Sequence, residues 1–216
     1  MHKQQLDLEE LAGTLNGAMQ ELEPMEEEVA LVLYRLLAEA EPVSLVPLAK
    51  RVDLSEQRVE EIVGRWPGVF RDGDGRVVGF WGLALPEMPH RLEVDGRRLH
   101  AWCAWDTLFL PELIGKPARV SSQCPVTGEP ISLTVGPDGV EELSPTSTVV
   151  SMLAPTVAFD ENVIANFCHF VHFFSSAEAG AQWTSRHEGT FLLSLYDAYT
   201  LGRLANHGRF NTALAD

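Results

Sequence analysis

Two of the three cysteines and one carboxylate stand in strongly apolar, aromatic surroundings. The stretch LHAWCAWD at residues 99–106 carries Cys103 and Asp106, and NFCHFVHFF at residues 166–174 carries Cys168. A thiolate or carboxylate buried without a partner loses solvation worth several kcal/mol. Such surroundings therefore either push these groups neutral or reserve them for a soft, thiol-loving ligand. The residue types read as a thiol-based catalyst.

Cys103 and Asp106 are three positions apart, so on a helix they share a face and reach one substrate atom. The competing structural reading is a small buried thiol beside a first-turn acid. Residues 167–174 are expected to form a strand whose alternation sends Cys168, Phe170 and His172 to one side. Here the competing reading is a core thiol with satisfied histidines. A structural zinc site has poor support, because the chain contains neither a C-x-x-C nor an H-x-x-x-H pair. Cys124 stands in a polar turn, SSQCPVTG at residues 121–128, where a structural role outweighs catalysis. His100 lies beside the tryptophans without an evident partner.

The elements that must position these groups fall into two parts. Apolar positions at Val29, Val32, Leu33, Leu36 and Leu37 predict a helix over residues 25–40 behind an acidic first turn. Short helices are expected over 46–52 and 56–66, the latter capped by Asp53 or Ser55. A hairpin follows, turning at Asp72-Gly73-Asp74-Gly75. Helix, helix, helix, hairpin is a winged-helix pattern, expected to fill residues 1–85. The Pro-rich stretch LPEMPH at 85–90 marks the boundary to residues 86–216. This second part reads as a mixed α+β core: a hairpin around Asp95-Gly96, a helix over 102–114 broken by Pro111 and Gly115, and strands over 118–122, 131–135, 139–142, 148–153 and 167–174. Closing helices are expected over 176–187 and 190–206.

Composition narrows the function. At 216 residues with 45% hydrophobic content, the chain can build a substantial core. Its net charge of −15 argues against nucleic acid or an anionic membrane surface as partner. Residues 1–80 hold eight Lys and Arg against sixteen Asp and Glu, and the would-be DNA-reading helix carries Glu56, Glu60 and Glu61. The absence of a bilayer-length apolar run or a hydrophobic signal core leads to a cytoplasmic expectation, with reduced thiols rather than disulfides.

Taken together, AWCAWDTL (101–108), PELIGKPARVSSQC (111–124) and FCHFVHFF (167–174), with QWTSRH (182–187) and DAYTLG (197–202), resemble the organomercurial (alkylmercury) lyases of bacterial mercury resistance. Their order and spacing match over most of residues 25–206. The resemblance implies that Cys103 and Cys168 are the two catalytic cysteines, Asp106 the catalytic carboxylate and Cys124 a third, structural cysteine. It also implies a winged-helix-like N-terminal part and an α+β core. Some relatives carry Ser at the position of Asp106; this chain keeps the acid.

Protonolysis of a carbon–mercury bond needs soft anionic ligands to load the metal and an acid to protonate the departing carbon. Two sulfurs and one carboxyl meet that requirement, with mercury as substrate and product and no resident cofactor. Organomercurial thiolates are the expected substrates, and cellular thiols or a mercuric reductase the expected receivers of Hg(II). Two other readings compete, a metal-responsive winged-helix regulator and a non-catalytic soft-metal carrier.

Overall fold

The computed structural model describes residues 7–137, 139–211 and 213–214. Among them the chain is an α+β protein of eight α-helices with antiparallel sheets of eight and three strands. The N-terminal helices are α1 (Leu8–Ala18), α2 (Pro24–Leu37), α3 (Leu45–Arg51) and α4 (Glu56–Val63). Their starts follow from local chemistry. The Asp7 carboxylate accepts from Glu9 N and Glu10 N at 3.0 and 3.1 Å, Pro24 opens α2, and Ser55 Oγ accepts from Arg58 N at 3.2 Å. Helix α1 lies outside every element read from the sequence. It packs along the C-terminal helix, where Asn16 Nδ2 donates to Ala205 O at 3.0 Å.

The larger sheet comprises β1 (Val69–Arg71), β2 (Val77–Phe80), β3 (Leu83–Ala84), β4 (His90–Val94), β5 (Arg97–Ala101), β6 (Ala118–Gln123), β7 (Pro130–Gly136) and β8 (Gly139–Ser144). Its spatial order is β1-β2-β3-β5-β4-β6-β7-β8. Helix α5 (Asp106–Ile114) follows β5. The smaller sheet sets β9 (Val149–Leu153) between β10 (Phe173–Phe174) and β11 (Thr190–Ser194). Helices α6 (Val163–Asn166), α7 (Ala177–Thr184) and α8 (Leu195–Arg209) complete the chain. Phe80, fully buried, joins the N-terminal helices to the sheet through ring contacts with Tyr34 at 4.7 Å and Trp66 at 5.2 Å. No helix among the described residues is long and apolar enough to cross a membrane.

Three sequence expectations are corrected. Residues 167–174 do not form one strand: Cys168–Phe170 is a 3-10 turn, and only Phe173 and Phe174 pair with β9. Bonds from Phe170 N to Phe167 O and from Val171 N to Cys168 O curl the segment, so local turn formation overrides its apolar alternation. Residues 190–206 are not one helix either. Thr190–Ser194 pairs along the whole of β9, and the Ser194 hydroxyl then caps α8 by accepting from Asp197 N at 3.0 Å. Finally, Pro111 lies inside α5 rather than ending it. The helix is almost wholly buried, and that packing outweighs one missing backbone bond.

Candidate functional site

The Cys103 thiol, an Asp106 carboxylate oxygen and the Cys168 thiol all lie within 4.8 Å of one another, in the one cluster of potential metal ligands among the described residues. Each is buried, at 0%, 5% and 4% exposure respectively. Strand β5 ends at Ala101, and a tight turn over residues 102–105 delivers Asp106 as the first residue of α5. Cys103 therefore sits before the helix, not on its face. The pair meets because Cys103 N–H donates to Asp106 Oδ2 at 2.7 Å, closing the turn. Cys168 arrives from the 3-10 turn that precedes β10. Ala104 N–H donates to Val171 O at 3.1 Å, tying the two cysteine-bearing segments together.

Close packing fixes the rest. Trp105 Nε1 donates to Ala198 O at 3.1 Å, and Thr107 Oγ1 to Ala104 O at 2.7 Å. Trp81, Phe159, Phe167 and Trp105 form a chain of ring contacts around the site, with centroids 5.0–6.5 Å apart. Gly82 is required here. Its φ is +96°, and a Cβ at that position would lie 2.8 Å from Asp106 Cγ and Oδ1. Gly82 O also accepts from Trp102 N at 2.9 Å. Sequence reasoning missed Gly82, Trp81 and Phe159, because only the fold brings them to the cysteines.

Electrostatics follow from burial. Desolvation pushes the Asp106 carboxyl up to about 7, against hydrogen bonds from the Cys103 thiol and N–H that favour its charged form. Burial also drives the Cys103 thiol well up, reinforced by Cys168 and by the Asp106 charge. For Cys168 the largest influence, a hydrogen bond from Cys103, favours the thiolate. Burial and the Asp106 charge nonetheless leave its pKa raised. The arrangement can thus hold a proton on any of three atoms, and removing one proton leaves a soft anion facing an acid.

Cys124 lies outside the cluster. It is buried in a turn after β6, where its N–H donates to Glu129 O at 2.9 Å and its carbonyl accepts from Gly128 N at 2.8 Å. Burial raises its thiol pKa, but the Thr127 hydroxyl and the backbone at Ser175, Thr127 and Val126 bring it down to about 7. His100 is also elsewhere, on β5, with Nδ1 buried and unpartnered.

The void lined by Asp106 and Cys168 is only about 20 Å³, room for roughly one water. A much larger cleft of about 900 Å³ lies between β8 and α8, lined by Tyr196, Arg203 and His207. It touches none of the three clustered residues, so chemistry rather than volume locates the candidate site.

Comparison with known proteins places the chain in a family. A family model described as alkylmercury lyase matches residues 83–206, a span that contains all three cysteines. The alkylmercury lyase of Pseudomonas putida is 44% identical over 177 residues, 82% of each chain. That of Staphylococcus epidermidis is 42% identical over 173 residues, covering 79% of this chain and 78% of that one. The crystal structure of the mercury-bound form of MerB2 shares the fold, with a TM-score of 0.70 and 24% identity over 91% of this chain and 96% of that one. The chain therefore belongs to the alkylmercury lyase family, and its activity is that of an alkylmercury lyase.

Proposed function

We propose that Cys103, Asp106 and Cys168 together carry out carbon–mercury protonolysis on an organomercurial thiolate, R–Hg–SR′. The supporting observation is their convergence to within 4.8 Å in a dry, aromatic pocket. Cys103 gives its proton to the Asp106 carboxylate, and its sulfur bonds mercury as the Hg–SR′ bond breaks and R′S⁻ departs with the electron pair. R′S⁻ takes the Cys168 proton and leaves as R′SH. The Cys168 thiolate then adds to mercury, raising electron density on the bound carbon. Asp106 returns its proton to that carbon, releasing R–H and leaving Hg(II) on two sulfurs.

Burial serves both halves of this cycle. A carboxyl with a pKa near 7 accepts the thiol proton and gives it up again at neutral pH, which an ordinary carboxyl near 3.9 does poorly. Two thiolates select mercury over the hard cations that a carboxylate alone would hold. Small cellular thiols or a mercuric reductase then take Hg(II), in the cytoplasm. Residues 1–85 act as a winged-helix-like module that closes over the catalytic part, residues 86–216, while Cys124 is structural.

The test is gas-phase detection of benzene from a phenylmercury thiolate in excess thiol. Wild-type protein releases it; Cys103→Ala, Cys168→Ala and Asp106→Ala do not. Full turnover by any one variant removes that residue from the mechanism. Mercury bound without benzene in a single turnover would make the protein a carrier.

A further inference from the structure

We propose that the cleft beside Arg209 binds the carboxylate of the small thiol that carries the organomercurial in. This rests on the reading of R–Hg–SR′ as substrate and adds to it the chemical class of R′. The cleft, of about 530 Å³, opens between the end of α1 and the end of α8, with Asn16, Met19, Gln20, Arg209 and Asn211 in its wall.

Some polar groups in and beside it lack partners. Arg209 Nη1 donates to Gln20 O at 3.2 Å, and the guanidinium lies 5.6 Å from the Trp81 ring centroid and 6.0 Å from that of Phe210. No carboxylate pairs with Arg209 among the described residues. Around it, both Nε2 and Oε1 of Gln20 and Nε1 of Trp81 are buried without hydrogen-bond partners. A half-buried guanidinium beside orphaned N–H donors has capacity for an acceptor, and a planar carboxylate supplies two oxygens in the geometry guanidinium prefers.

Met19 stands between the cleft and the reacting atoms. Met19 lines it, lines the narrow gap beneath it alongside Trp81 and Arg209, and lines the void that contains Asp106 and Cys168. Mercury can pass Met19, an unbranched and soft thioether, while the carrier's carboxylate stays at Arg209. As the Hg–S bond to the carrier breaks and the Hg–S bond to cysteine forms, the carrier takes the Cys168 proton and leaves as the thiol into the open cleft. General anion attraction is not the source of this preference, because the chain carries a net charge of −15. Glu21 and Glu27 line the same cleft, with Glu27 Oε2 accepting from Ala213 N at 3.1 Å. The site therefore suits one carboxylate and not a polyanion.

The test uses the full chain and phenylmercury carried by 3-mercaptopropionate, cysteine, 2-mercaptoethanol or cysteamine, each with matched excess of its own thiolate. The KM for benzene release should be about tenfold lower for the two carboxylate carriers, with kcat similar across all four. Arg209→Gln should collapse that ratio towards one, and Arg209→Lys should keep part of it. Equal KM values for the four carriers in wild-type protein, a comparison that needs no variant, overturn the site while leaving the lyase chemistry intact. So does an Arg209→Gln variant that raises KM equally for all. Absence of benzene from every carrier overturns the lyase reading itself, and this site with it.

Discussion

Cys124 and the Cys103/Cys168 pair are the same functional group in two opposite environments. In the turn after β6, the hydroxyl and backbone at Thr127 and the backbone at Ser175 and Val126 hold the Cys124 thiol near 7. In the aromatic pocket, burial and the Asp106 charge leave both clustered thiols raised, although the hydrogen bond from Cys103 favours the Cys168 thiolate, and burial pushes the neighbouring carboxyl to about 7. The more acidic thiol is thus the one that stands alone. A depressed thiol pKa is therefore a poor guide to the reactive centre of this protein. What separates the two regions is convergence: only the pocket offers two soft ligands and a proton donor to a single atom, with the proton exchanged inside the pocket instead of with solvent.

The sharpest way to break this contrast is to delete groups on each side. Alanine at Cys103, Cys168 or Asp106 should lower hydrocarbon release by about 10³-fold or more, measured by gas chromatography under single-turnover conditions. Cys124→Ala should retain turnover per folded molecule.

Asp106→Asn probes the electrostatic cost of the pocket. The folded pKa of Asp106, about 7, lies above its ordinary value of 3.8, so the native state holds a proton that the unfolded chain has lost. Stability from this group is complete below about pH 4 and declines as pH rises towards 7, by about 4 kcal/mol in all. Asparagine carries no such penalty, and its carbonyl can still accept from Cys103 N–H. Urea unfolding should find the inactive variant more stable than wild type at pH 8, with the advantage gone at pH 4. An advantage that does not change with pH would contradict the burial argument.

Gly82→Ala tests how tightly the backbone supports the acid. With φ at +96° and a new Cβ 2.8 Å from Asp106, the variant should lose about 2–4 kcal/mol of stability and much of its turnover. The smallest effect is expected at Cys124. Its alanine variant should lose about 1–2 kcal/mol through the vacated hydrogen bonds, read as a shift in urea midpoint.

Much of this architecture was legible before any coordinates. The 3.6-residue spacing of Val29, Leu33 and Leu37 marked α2, a cap at Asp53 or Ser55 marked the start of α4, where Ser55 serves, and Asp95-Gly96 marked the β4–β5 hairpin. These are local signals that the surrounding packing reinforces. The segment carrying Cys168 misled for the opposite reason. Its aromatic alternation matches a strand, yet the chain turns there because the fold must bring Cys168 to Cys103, and Val171 to Ala104, across 65 and 67 positions. Thr190–Ser194 misled because pairing with β9, a long-range contact, decides its conformation. The three residues proposed as catalytic were singled out by type, by the C-x-x-D spacing and by family resemblance. The void lined by Asp106 and Cys168, Gly82 against Asp106 and Met19 at its edge were not legible, since each depends on packing between elements far apart in the chain.

Mercury L-edge X-ray absorption on the complex formed by adding one equivalent of Hg(II), without excess thiol, tests most directly whether two distant cysteines grip one metal atom. Two sulfur neighbours are predicted for wild type and for Cys124→Ala, and one protein sulfur for Cys168→Ser. A sulfur count that stays at two in Cys168→Ser, or that falls in Cys124→Ala, would contradict the account.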